Sequence, residues 1–198
     1  MFLRYFLLVC LIAYIFTTFF WRSYAVWRTT GINPFTFKGS DTAHDFIGRV
    51  FKLTVAAVVL VVFVYALSPA AYTYLVPIQW LEHAVLKLIG VALLLLSLVW
   101  TVIAQSQMGE AWRIGVDSEH STPLVQTGLF RISRNPIYIG VVATLLGLFL
   151  TVPNALTLVI LILGLVLTGV QIRLEEEHLR KMYPTEYAEY SRRVGRWI

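Results

Sequence analysis

Long apolar runs with almost no charge inside them constrain this chain more than any other feature. A helix rising 1.5 Å per residue needs about 20 apolar residues to cross a hydrocarbon core of about 30 Å. Residues 3–21, 52–70, 84–104, 136–151 and 155–172 read as five such spans, the fourth of them short. Helical bundles and closed barrels are the only spanning structures that satisfy the backbone in lipid, and unbroken Leu, Val and Ile runs select helices. Composition agrees, because 58% of the 198 residues are hydrophobic and only 14% are charged, a balance outside the soluble range. The expected fold is all-α: one membrane domain over residues 1–198, a polytopic helical bundle with about five transmembrane helices and an amphipathic cytoplasmic tail over 173–198.

Details within the runs refine this picture. The stretch Leu7 to Phe20 has the look of a signal-peptide core, but Phe19, Phe20, Trp21 and Arg22 follow it in place of a small-residue cleavage site, so a retained span is expected. The single cysteine, Cys10, lies inside that run; with one thiol there is no intrachain disulfide and no cysteine-based zinc site, and it is read as a packing residue. Gly90 and Ser97 in the third span are small enough to admit a close neighbouring helix. Val152-Pro153-Asn154 forms a tight turn that makes spans four and five a helical hairpin, and Pro136 suits the first turn of its helix.

Positive charge fixes the expected orientation. A formal charge of +5 would suit nucleic acid if it formed a patch, yet the basic residues sit in loops beside spans, so no nucleic-acid partner is expected. Arg22, Arg28, Lys38, Arg49 and Lys52 fall between spans one and two, and Arg113, Arg131 and Arg134 between three and four. Arg173, Arg180, Lys181, Arg192, Arg193 and Arg196 follow span five, so fourteen of the sixteen share one face and only Arg4 and Lys87 fall on the other. Positive residues are retained on the cytoplasmic side, which puts the N-terminus outside and the C-terminus in the cytoplasm. Tyr65, Tyr72, Tyr74 and Trp80 would belt the outer interface, and Trp21, Trp27, Trp100 and Trp112 the inner one. The pieces between spans are each roughly 30 residues or fewer and carry no G-x-G-x-x-G after a strand. Any cofactor must therefore bind among helix ends and cytoplasmic loops.

Two polar clusters on that face carry the potential chemistry. In Ser133-Arg134-Asn135-Pro136-Ile137-Tyr138, Arg134 and Asn135 lie where the free N–H groups of the next helix point, a natural anion site. Anchoring by Arg134 and capping by Asn135 would explain the same residues without a ligand. In Arg173-Leu174-Glu175-Glu176-Glu177-His178, three successive carboxylates fall on different faces of a helix, so at most two can face one pocket; a solvated helix surface is the plainer explanation. Beyond them Leu179, Met182, Tyr183, Tyr187, Tyr190 and Val194 recur at helical spacing, and Pro184 divides the tail into two short helices that lie on the membrane or fold back over the bundle.

Over residues 105–197 these clusters resemble the integral membrane methyltransferases typified by isoprenylcysteine carboxyl methyltransferase, with phospholipid N-methyltransferases as relatives. The resemblance runs through Met108-Gly109-Glu110-Ala111-Trp112, Leu124-Val125-Gln126-Thr127-Gly128-Leu129-Phe130, Arg134-Asn135-Pro136-Ile137-Tyr138, Glu175-Glu176 with Leu179, Glu186-Tyr187-Ala188-Glu189-Tyr190 and Val194-Gly195-Arg196-Trp197. The family often has His where this chain has Asn135 and Gly where it has Pro184, and an asparagine carries no proton.

The resemblance implies S-adenosylmethionine as methyl donor and a lipid-like or prenylated acceptor beside membrane lipids; no metal and no obligate protein partner are expected. Cofactor-binding candidates are Arg134 and Asn135 for the donor carboxylate, Glu175 or Glu176 for its ammonium, and Trp112, Tyr138 or Tyr187 for adenine or sulfonium. Arg173, Arg113 and Glu176 are the catalytic candidates on the acceptor side. Carboxyl O-methylation of an isoprenylcysteine-type or other isoprenoid substrate is the first expectation. The alternatives are lipid N-methylation, a nicotinamide-dependent reductase related to sterol reductases, and a non-catalytic lipid-binding bundle.

Overall fold

A computed structural model describes residues 2–36, 41–115 and 122–198. Helix dominates, and the only β pairings among the described residues are the isolated bridges Phe35–Ile114 and Pro77–Asn154. The helices are α1 (Phe2–Ile15), α2 (Arg22–Thr30), α3 (Ala43–Leu67), α4 (Pro69–Tyr72), α5 (Ala84–Met108), α6 (Pro136–Thr151), α7 (Ala155–Met182) and α8 (Pro184–Arg193). A π-helical stretch, Phe16–Trp21, joins α1 to α2 without a break. Four helical stretches, 2–30, 43–67, 84–111 and 155–182, are long and apolar enough to cross a membrane, and α6 is a shorter apolar helix. This is the all-α architecture of an integral membrane protein.

Helix limits depart from the expected spans at their polar ends. α3 starts nine residues before the expected 52, because Thr42 caps it, its Oγ1 accepting from Asp45 N at 3.2 Å, and Ile47 and Gly48 are buried. α7 does not stop at 172 but runs on to Met182, so Glu175, Glu176, Glu177 and His178 extend a rigid apolar helix. The tail then turns at Tyr183, and Pro184 occupies the first turn of α8.

α5 and α6 form the most intimate pair. A Cβ on Gly90 would lie 2.7 Å from the Gly147 carbonyl oxygen and 2.8 Å from Thr151 N, so the two backbones touch. Ser97 Oγ and Thr144 Oγ1 hydrogen bond at 2.8 Å on the same seam, the small-residue and hydroxyl packing that apolar solvent favours between helices. Gly90→Ala is expected to force the backbones apart at a cost of about 1–3 kcal/mol. The thermal unfolding temperature in detergent should fall, whereas Gly169→Ala, where a Cβ meets only the Arg173 guanidinium at 3.4 Å, should leave it unchanged.

Both ends of the bundle are tied. At one, Asn154 caps α7 through a reciprocal capping box with Thr157, and Ile78 N donates to the Pro153 carbonyl at 2.9 Å. At the other, Gln105 Nε2 donates to the Thr18 carbonyl at 3.1 Å within the π-helical stretch, a local geometry that often marks a constrained position. α2 is thereby aimed so that Arg22 donates to the Gly109 carbonyl, and its guanidinium stands 5.9 Å from the centre of the Trp112 ring. Trp112 is consequently buried, at 3% exposure. It does not join the lipid-facing inner belt expected of it.

Candidate active site

The ends of α5, α6 and α7 and the folded-back α8 line a partly open cavity of about 170 Å³. Arg134, Asn135, Tyr138, Glu175, Glu176 and Tyr187 all line it, with Arg113 on the segment after α5. The apolar part of the wall comes from Leu124, Val125, Leu179, Met182 and Tyr183.

Glu176 is the electrostatic centre of this wall. Only 1% of it is exposed, and a buried carboxylate must be paired to stay ionised. Arg196 grips it in a fork, Nε to Oε1 at 3.0 Å and Nη2 to Oε2 at 2.8 Å, the geometry that suits a guanidinium to a carboxylate. Arg180, one helical turn along, donates to Oε2 at 3.1 Å, Arg134 Nη2 lies 3.4 Å from Oε1, and Asn135 Nδ2 donates to Oε1 at 3.4 Å. One negative charge thus faces three positive ones. The cluster keeps a positive excess that attracts an anion.

Backbone contacts fasten the tail to the same point. Arg134 N donates to the Gly195 carbonyl at 3.0 Å, and Asn135 Nδ2 and Ser133 Oγ donate to the Arg196 carbonyl at 3.1 and 3.3 Å. Asn135 occupies the cap position of α6, but its side chain makes no capping bond; it spans Glu176 and the tail instead. Tyr190 OH donates to the Phe130 carbonyl at 2.6 Å, and burial pushes its hydroxyl up to about 12, so it stays a neutral donor. The Arg196 guanidinium is held further above its ordinary range by its bond to Glu176.

Glu175 has a different environment from its neighbour. Tyr138 OH and Gln171 Nε2, the latter at 2.9 Å, both donate to its Oε1. Among the described residues neither a guanidinium nor an ammonium pairs with it; two neutral donors hold it at the cavity wall, where a bound cation would supply the missing counter-charge. Glu177 points elsewhere and pairs with Lys181 at 2.6 Å on the exposed face. Tyr187 is buried beneath two guanidiniums, Arg134 at 5.9 Å and Arg180 at 5.7 Å from its ring centre, which leaves its π system engaged by protein.

Among the described residues, two expected site residues do not line the cavity. Arg173 turns back along α7 to donate to the Gly169 carbonyl at 2.6 Å on an exposed face. Trp112 lies under Arg22. Arg113 lines the wall and also donates to the Glu110 and Trp112 carbonyls at 2.6 and 2.9 Å. Sequence reasoning assigned no role to Arg196, Arg180 or Gln171, although Arg180 stands at i+4 from Glu176, a spacing that pairs charges on any helix. No cluster of metal-binding side chains occurs among the described residues.

Comparison with known proteins identifies the family. Residues 85–186, slightly more than half of the chain, match the family model described as phospholipid methyltransferase. The chain belongs to that family of membrane methyltransferases. Among curated proteins it is similar to the protein-S-isoprenylcysteine O-methyltransferase of Saccharomyces cerevisiae, with 33% identity over 110 residues. The alignment covers 54% of this chain and 46% of that enzyme, so less than half of the relative's length is matched. No solved structure matches the chain.

Proposed function

We propose that the protein transfers a methyl group from S-adenosylmethionine to the carboxylate of an isoprenoid or other lipid-like acceptor at the cytoplasmic membrane surface. The observation that carries this reading is the partly open cavity whose wall holds both the positively charged cluster around Glu176 and the carboxyl of Glu175. A donor bearing one carboxylate and one ammonium matches that polarity. Arg134, whose Nε is buried without a hydrogen-bond partner, would take the carboxylate, and Glu175 the ammonium. Leu124, Leu179, Met182 and Tyr183 would cover the adenine. When bound, the donor supplies a methyl group on a sulfonium for in-line displacement.

The residues present would supply alignment and a mostly apolar wall, which is what such a displacement needs. An ionised carboxylate acceptor requires no general base, consistent with asparagine at position 135. The relative's name, an O-methyltransferase acting on protein S-isoprenylcysteine, supports this acceptor class. The count of basic residues supports a cytoplasmic cavity with the N-terminus outside.

Purified protein, labelled donor and two acceptors, an N-acetyl-S-prenylcysteine and a phosphatidylethanolamine, test the reading. Label in a base-labile methyl ester of the first is expected. Label only in the amine would replace it by lipid N-methylation, and no transfer to either would count against it. Tyr138→Phe removes one donor to Glu175, and since a hydrogen bond to a charged group is worth about 1.5–3 kcal/mol, donor KM should rise about ten-fold or more while the protein remains folded.

A further inference from the structure

A second cavity, of about 120 Å³ and partly open, is lined by α1 and α3 on one side and by α5 and α6 on the other, with Gly164 of α7 between them. Val55 and Val58 on α3, and Leu94 and Leu98 on α5, place it near the middle of two membrane-length helices, at the depth of the hydrocarbon. Its wall is almost entirely apolar. Thr54 and Thr144 belong to it, but each hydroxyl donates within its own helix at 2.9 Å, to the Val50 and Gly140 carbonyls. Protein interiors are packed as densely as organic crystals, so a void of this size calls for an occupant, and an apolar void takes an apolar one rather than water.

The position of the void indicates which occupant. Ile137 lines the catalytic cavity, and Val141, Thr144 and Leu148, four, seven and eleven residues further along α6, line the second one. That spacing is one face of a helix, so the two cavities follow each other along a single stripe of α6. A chain laid on it from Ile137 to Leu148 covers about 16 Å at 1.5 Å per residue. At the far end Leu7, Val62 and Leu148 pack with Val61 and Val152 in a buried cluster, against which Leu11 and Val58 also rest. A molecule with its reactive head in the catalytic cavity and a hydrocarbon tail of that reach would occupy both.

We infer that this second cavity holds the hydrocarbon tail of the methyl acceptor, and that α1 and α3, which lie outside the family-matched residues, set the tail length the chain accepts. Lipid solvates a tail as well as leucine does. The cavity therefore selects by shape, through how far a tail reaches before the cluster at Leu148 stops it. The inference rests on the methyltransferase reading.

Photolabelling of the detergent-solubilised full chain, without donor, tests it with an N-acetyl-S-farnesylcysteine whose tail ends in a diazirine. Mass spectrometry should place the label on cavity residues such as Leu11, Val58 and Leu94, and unlabelled N-acetyl-S-farnesylcysteine should compete it away. Val58→Phe fills the deep end from α3 and should reduce that label about ten-fold or more, as overpacking of a close-fitting site does. The corresponding geranyl probe, with its shorter tail, should lose less. Leu11→Phe provides the same comparison from α1 if Val58→Phe fails to fold. Label confined to outward residues such as Leu60 and Val99, or label unchanged or equally reduced for both tails in the filled variant, would overturn the inference. Stronger cavity label from a phosphatidylcholine carrying the diazirine on its acyl chain would also overturn it, by assigning the space to a resident membrane lipid. Binding of labelled donor in the same preparations keeps two failures apart: its absence from the wild type defeats the methyltransferase reading, whereas intact donor binding with no competed label in the cavity defeats only the tail site.

Discussion

Replacing Glu176 with glutamine is expected to release the C-terminal tail and abolish donor binding while the helical bundle stays assembled. The amide keeps the shape of the side chain but removes the charge that holds Arg134, Arg180 and Arg196 together. Removing one partner of a buried ion pair costs about 3–5 kcal/mol, because the remaining charges are left uncompensated. Here three guanidiniums would repel one another at a single point, and Arg196, which lies beyond the end of α8, can move away together with the tail. The glycine seam between α5 and α6 lies outside this cluster, so extraction and thermal unfolding of the bundle should be nearly unchanged. Limited trypsin digestion provides the check. Arg192 and Arg193, at the exposed end of α8, should be cut much faster in the variant, and donor affinity should fall about a hundred-fold or more by the same energy. A variant with native protease resistance and native affinity would remove Glu176 from its organising role.

Arg134→Ala should separate ligand recognition from tail docking. Arg134 reaches Glu176 at 3.4 Å, longer than either contact from Arg196, and its main-chain bond to Gly195 survives the substitution. The tail is therefore expected to remain closed, with trypsin sensitivity close to wild type. Donor affinity should drop about ten- to a hundred-fold, the worth of a charge-assisted bond to a carboxylate. Arg134→Lys should recover only part of this, since a lysine offers a point charge in place of a planar fork. Equilibrium binding of labelled donor to the two variants, beside Glu176→Gln, distinguishes a residue that binds from one that organises.

Some of this architecture could be read from the sequence and some depended on directions that a sequence does not carry. Apolar runs and their caps announced the helices, because lipid leaves the backbone few options. Gly90 and Ser97 marked the α5–α6 seam by size alone. Glu175 and Glu176 were distinguishable from Glu177 only by which side of α7 each falls on, and the helix phase puts the first two on the cavity. The apolar run that signals α3 starts only at 52, whereas the helix begins at Ala43, where Thr42 with Asp45 in the first turn is a capping signal. Trp112 shows what composition cannot reveal: an aromatic residue at the right place in the chain is turned under Arg22 by the path of α2. Arg196 eluded assignment because its contact with Glu176 exists only once Pro184 and Tyr183 have folded α8 back across the bundle.

Whether the cavity beneath the tail holds a sulfonium nucleotide is measured most directly by equilibrium dialysis of labelled S-adenosylmethionine against the purified, folded chain. The expected result is saturable binding of about one equivalent per chain, displaced by S-adenosylhomocysteine and sharply weakened by Arg134→Ala. Absence of saturable binding in protein shown to be folded, or binding indifferent to Arg134 and Glu176 alike, would contradict it.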